Sequence, residues 1–316
     1  MPADRRQPEI TYVVHFRTSR GAGGVLHETA RAELLAATGN LPVSLVGEHP
    51  ARNRLRVRVP AGCEPDLLQL MPRLGYTEAL VQVTRHPGAG LGVEHRPPRK
   101  VERWLVGAYR RGDDLEIHEL IWRADEQARL ARSPHSRPFK VRIDGEIELS
   151  LGRRRHRRLS CCDAMVMLNL ARVDAGALVV DPFAGIGGIA LEARRMGLQC
   201  LSGDIALALA PGLREVSGGL AAIWDAAALP LSDACADAVV TEPPYEEQLQ
   251  ADVAAAMPEM ARILKPCAYA VVLMQEELAD DTLQAAASAG LTSCGQHPIR
   301  RAGGLMARVM VLQHRR

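Results

Sequence analysis

Aromatic side chains are scarce in this sequence, at 3% of 316 residues, so the interior must rest on Ala, Val and Leu. Long apolar runs are missing too. None approaches the ~18 residues that a membrane-spanning helix needs, which excludes that class of segment. The opening stretch, MPADRRQPEI, is charged and Pro-containing and lacks the apolar region of a secretory signal. The seven cysteines (Cys63, Cys161, Cys162, Cys200, Cys235, Cys267 and Cys294) contain no CxxC spacing. An odd count without that spacing argues against a disulfide frame or a zinc site, so reduced thiols in the cytoplasm are expected and no metal. The adjacent Cys161 and Cys162 read as neighbouring buried thiols.

What is present is the composition of a soluble globular chain, 47% hydrophobic and 24% charged. The length suggests two domains. Net charge is only +2, but residues 1–160 hold 28 Lys and Arg against 19 Asp and Glu, and residues 161–316 hold 11 against 18. A basic half joined to an acidic half fits a polyanion-binding module attached to a catalytic one. The runs RLRVRV (54–59) and RRRHRR (153–158) are the candidate phosphate contacts, with Arg154 and Arg155 assigned to substrate.

Periodicity divides the chain. Residues 11–85 read β-α-β-β-α-β, which predicts a ferredoxin-like domain over 1–90. HPGAGLGVEHRPPRK (86–100) is rich in Gly and Pro, and 91–150 is read as a connecting segment, with LEIHELIWRADEQARLARS (115–133) mostly helical. From 151 to 316 strands alternate with helices, which predicts an α/β, doubly wound, largely parallel sheet.

The chemistry gathers at strand ends. VVDPFAGIGGIALEA (179–193) ends a strand in Asp181 and turns on Gly185, Gly187 and Gly188 into a helix. Glycines there let the backbone approach a ligand closely. A carboxylate before them repels phosphate and suits a ligand that carries an ammonium group. In SGDI (202–205), Asp204 tips the next strand, where an acid accepts the two hydroxyls of a ribose. In IWDAAALPL (223–231), Asp225 is placed to accept an adenine amino hydrogen, and Ala226 to offer a backbone N–H to a ring nitrogen. Three acid-tipped strands describe a pocket for an adenosine bearing an amino acid, which is S-adenosylmethionine. VVTEPPYEEQ (239–248) then leaves a strand through two prolines, which fix φ and cannot donate to a ladder. The Glu242 carboxylate and the Pro243 carbonyl become pre-set acceptors for the hydrogens of a target amine, and Tyr245 a stacking surface for a planar base.

The series DPFAGIGG, GDI, WDAAALPL and TEPPY resembles class I S-adenosylmethionine-dependent methyltransferases. Over about residues 137–316 it is similar to the THUMP-associated tRNA guanine-N2 methyltransferases. The resemblance implies a Rossmann-like, seven-stranded methyltransferase sheet over 151–316. It puts Asp181, Phe183, Gly185 and Gly187 at the methionine end, Asp204 and Ile205 at the ribose, and Asp225 at the adenine. Glu242, Pro243, Pro244 and Tyr245 then form the target-amine site. The usual Asp or Asn of that last motif is Glu242 here, one methylene longer, and the Gly after its Tyr is Glu246. The function implied is methylation of an exocyclic base amine in tRNA; the alternative is a small-molecule amine or guanidine.

Overall fold

The computed structural model describes residues 8–17, 26–86, 107–111, 114–125, 140–143, 147–150, 159–301 and 305–314. In chain order the first part contains β1 (Glu9–Phe16), α1 (His27–Ala37), β2 (Ser44–His49), β3 (Arg54–Pro60), α2 (Glu64–Leu70) and β4 (Thr77–His86). They are followed by β5 (Gly107–Arg111) and β6 (Asp114–Arg123). These strands form one six-stranded sheet in the order β2-β3-β1-β4-β6-β5, antiparallel throughout. A separate hairpin joins β7 (Lys140–Ile143) to β8 (Ile147–Ser150).

Residues 114–123 correct the helical reading of 115–133. They are a strand that pairs with β4 and with β5, so part of the supposed connecting segment forms the edge of the N-terminal sheet. Glu116 and His118, two residues apart, are both buried on one face. The open edge of β4 offered ladder partners that no local propensity anticipates.

The second half begins with α3 (Cys161–Leu170), capped by the Ser160 side chain, which accepts from the Asp163 N–H. It continues through β9 (Leu178–Asp181), α4 (Gly188–Arg195), β10 (Gln199–Asp204), α5 (Ala210–Ser217), β11 (Ala221–Ile223) and β12 (Ala236–Thr241). The last elements are α6 (Gln250–Ile263), β13 (Leu264–Gln275), α7 (Ala279–Ser288), β14 (Leu291–Arg300) and β15 (Met306–His314). The seven strands lie in the order β11-β10-β9-β12-β13-β15-β14. The first five are parallel, and β15 pairs antiparallel with both β13 and β14. This is a mixed α/β, mostly parallel sheet of the Rossmann-like kind. Its order reverses between β9 and β12, and in open α/β sheets ligands bind beyond the carboxyl ends of the strands at that point.

Val179 and Val180, successive residues of β9, enter apolar cores on opposite faces of the sheet. With so few aromatics, each face is filled by Ala, Val, Leu and Met. One core is shared: Ala30 and Leu34 of α1 join Val166 and Leu170 of α3 in a single cluster. Across this join, Glu33 is fully buried. It accepts from the Gly75 N–H (2.6 Å), the Tyr76 N–H (2.9 Å) and Asn169 Nδ2 (2.9 Å). The Tyr76 hydroxyl donates to Asp163 on α3 at 2.6 Å. No helix among the described residues is long and apolar enough to cross a membrane.

Candidate active site

At the switch point β9 ends in Asp181, and Pro182 stops the ladder. The loop that follows holds Gly185 at φ 53° and Gly187 at φ 81°. That left-handed region strains any residue with a Cβ, so the turn into α4 requires glycine. The loop is tied to β10 by two bonds: the Ala184 N–H donates to the Gly203 carbonyl, and the Gly185 N–H to Asp204 Oδ2, both at 2.9 Å.

A cavity of about 730 Å³ opens over these strand ends, within the range of small-ligand sites. Asp181, Phe183, Gly185, Asp204, Ile205, Asp225 and Ala226 border it, and so do Glu242, Pro243, Pro244 and Tyr245. All four acid-bearing segments singled out in the sequence therefore meet at one crevice. Gly187 does not border it. It caps α4, where a Cβ would lie 3.1 Å from Leu213 and Val216, so its place in the loop is conformational and packing. Arg154 and Arg155 lie outside the described residues. In RLRVRV, Arg56 makes a two-pronged ion pair with buried Glu116, both bonds 3.0 Å.

The acids differ in what surrounds them. Asp181 is 1% exposed and accepts from the Thr241 hydroxyl at 2.7 Å. Burial pushes its carboxyl up to about 7, with the Asp204 and Glu242 charges adding to the shift and hydrogen bonds from Thr241 and the Phe183 N–H opposing it. Asp204 accepts the Gly185 N–H on Oδ2 and the Ala206 N–H on Oδ1 at 2.9 Å each, so it braces the loop at the edge of the cavity, and each oxygen can accept a further bond. Asp225 Oδ1 accepts the Ala227 N–H at 2.9 Å, an Asx turn at the tip of its strand. Ile205 is 72% exposed, an apolar side chain at the rim.

At the Pro-Pro corner the Tyr245 hydroxyl donates to Glu242 Oε1. Arg301 Nη1 donates to the same oxygen, and to the Tyr245 hydroxyl at 3.1 Å. Burial pushes the Glu242 carboxyl up, and the Arg301 charge and the two hydrogen bonds pull against it.

Sequence reasoning missed Arg301 and Trp224. Nothing in PIRRAGGLM (298–306) marks either arginine. Trp224 precedes the predicted Asp225, and it borders the cavity with its Nε1–H on the Pro182 carbonyl at 3.1 Å. A Cβ added at Gly203 would fall 2.1 Å from the Trp224 ring. Gly203→Ala must therefore displace the indole and break that bond. We expect a loss of about 2 kcal/mol or more in urea unfolding, the range of overpacked cores, with weaker donor binding. Unchanged stability would contradict this close packing.

The carboxylates, the apolar rim and the cavity size fit S-adenosylmethionine. The family profile described as "RMKL-like, methyltransferase domain" matches residues 158–211. A tRNA (guanine(10)-N2)-dimethyltransferase of Methanothermobacter thermautotrophicus is 36% identical over 118 residues, covering 35% of this chain and 31% of that protein. The match thus spans about a third of that relative. TrmN from Thermus thermophilus aligns over 97% of this chain and 99% of its own, with a TM-score of 0.53 and 18% identity, a likeness of fold. The second half of this chain thus has a Rossmann-like fold, and residues 158–211 within it match a methyltransferase-domain profile.

Proposed function

We propose that this protein methylates the exocyclic N2 amine of a guanine in tRNA. The observation that carries the reading is the shared crevice: the Glu242-Pro243-Pro244-Tyr245 corner borders the same cavity as the three acid-tipped strands. The relative from Methanothermobacter supports tRNA guanine as the substrate class. The small-molecule amine considered from the sequence draws no such support.

In this reading Asp181 holds the donor ammonium, Asp204 the ribose and Asp225 with Ala226 the adenine. The donor, when bound, supplies a methyl group on a positively charged sulfur. The target amine is a poor nucleophile because its lone pair is delocalised into the base. The Pro243 carbonyl and Glu242 accept its hydrogens and favour a pyramidal, attacking nitrogen. The prolines hold both acceptors before the base arrives, which reduces the ordering left to the transition state. Guanine presents N–H donors at N1 and N2, which match a carboxylate, whereas adenine presents a repelling lone pair at N1. The target base leaves its stack to reach this depth.

The N-terminal half supplies tRNA binding in the same proposal. Its element order and the strand order β2-β3-β1-β4 support a ferredoxin-like reading for the unit placed at 1–90, ahead of the 91–150 segment and the methyltransferase domain. Incubation with labelled methyl donor and total tRNA, followed by nucleoside mass spectrometry, is expected to give N2-methylguanosine. Binding to tRNA should weaken at least about tenfold between 50 and 200 mM salt, since phosphate contacts release counterions. Salt-independent binding with unlabelled tRNA would refute the reading.

A further inference from the structure

The resemblance described above expects Asp or Asn where this chain has Glu242. The extra methylene adds a torsion and would leave the acceptor oxygen loosely placed. The structure holds that longer side chain from outside the motif. Arg301 and the Tyr245 hydroxyl both donate to Oε1, and Arg301 also bonds the tyrosine oxygen, so the three groups close a triangle. Among the described residues no hydrogen bond reaches Oε2, on the carboxylate that borders the cavity. The pair is interior, with side chains 9% and 13% exposed, where a fixed guanidinium acts far more strongly than at a surface. The Asp163 carboxylate, itself held by Tyr76, adds to the field that keeps Arg301 charged. Arg301 reaches this place through the sheet: β15 pairs antiparallel with β13, Ala307 opposite Gln275, and with β14, so that Arg301, directly after β14, lies beside the residue that follows β12.

We propose that Arg301 is the positioning residue that lets a glutamate serve at this corner: by fixing Oε1 of Glu242 it leaves Oε2 to accept the hydrogen of the target amine. The proposal rests on the methyl-transfer reading above. Arg301 does not touch the reacting atoms; it sets the direction and the charge of the group that does.

The test pairs a substrate-free readout with turnover. In protein labelled with ¹³C at the glutamate carboxyls, and with Glu242→Gln to identify the resonance, Arg301→Met is expected to raise the Glu242 titration midpoint by about one pH unit or more. Donor affinity by calorimetry should stay within about threefold, because the acids that bind the donor are untouched, while kcat on tRNA falls by about a hundredfold, the scale of a misplaced acid–base group. Arg301→Lys keeps the charge and guards against a variant that fails to fold. It should restore the midpoint and only part of kcat. An unmoved midpoint in Arg301→Met, or kcat within about twofold of wild type in both variants, overturns the proposal. A wild-type enzyme that labels no tRNA while the midpoint still shifts removes the methyl-transfer reading and supports the positioning.

Discussion

Asp181→Ala is expected to weaken donor binding by roughly a hundredfold or more, about 3 kcal/mol, the scale of truncating one member of a buried, hydrogen-bonded charge pair. The position explains the size. Asp181 is 1% exposed, so water cannot replace the carboxylate. It also receives the Thr241 hydroxyl, which the variant would leave without that acceptor. Calorimetry with the donor measures the effect, and Tyr245→Ala serves as the contrast, with donor affinity held and turnover lost. The same residue gives a pH signature. Its carboxyl is raised to about 7 by burial, so the fold prefers the protonated form. That stabilising contribution is fully present below the ordinary carboxylate pKa near 4 and is lost as pH rises through about 7. Donor binding runs the other way, since the ammonium is held by the ionised form: affinity should rise several-fold between about pH 5.5 and 7.5. Asp181→Asn should flatten this dependence. Wild-type affinity in Asp181→Ala, or a pH-independent wild type, would contradict the assignment.

Glu33→Ala is expected to cost about 4 kcal/mol in urea unfolding, a large part of the roughly 5–15 kcal/mol that holds a domain folded. Three donors converge on that carboxylate: the N–H groups of Gly75 and Tyr76 and the Asn169 amide. Each donor left unsatisfied in the interior costs about 1–3 kcal/mol. Asn169 keeps its bond to the Arg73 carbonyl at 2.8 Å, which limits the loss there. Glu33→Gln, which retains one acceptor oxygen, should cost less than Ala. Because Glu33 joins α1, the Gly75-Tyr76 turn and α3, its loss should also loosen the contact between the two halves. A cost below about 1 kcal/mol would show that the network relaxes or takes up water.

The strand-end motifs were legible because they are local. Asp181 and its glycines, Asp204, Asp225 and the Glu-Pro-Pro-Tyr corner each announce a turn through residues with restricted backbones or short acceptor side chains, and repeated βα alternation implies that the tips share one end of a sheet. The strand at 114–123 was not legible, since DLEIHELIWR reads equally as a helix until β4 offers it an edge. Glu33 looks in sequence like any polar residue of an amphipathic helix, and only the packing of α1 against α3 makes it a buried hub. Gly187 shows the reverse: a motif glycine near the site that serves the turn and α5 and does not border the cavity.

The sequence by itself determined the parallel-sheet architecture and the acids at its strand tips, because periodicity, glycine and proline act over a few residues. The tertiary structure decided how those acids are charged and held. The burial of Asp181, the Trp224 wall over Gly203, and above all Arg301 beside Glu242, 59 residues away in the chain, depend on distant segments meeting at one sheet. Electrostatics and packing are set by distance in space, and in this protein only the antiparallel insertion of β15 between β13 and β14 brings that arginine to the Pro-Pro corner.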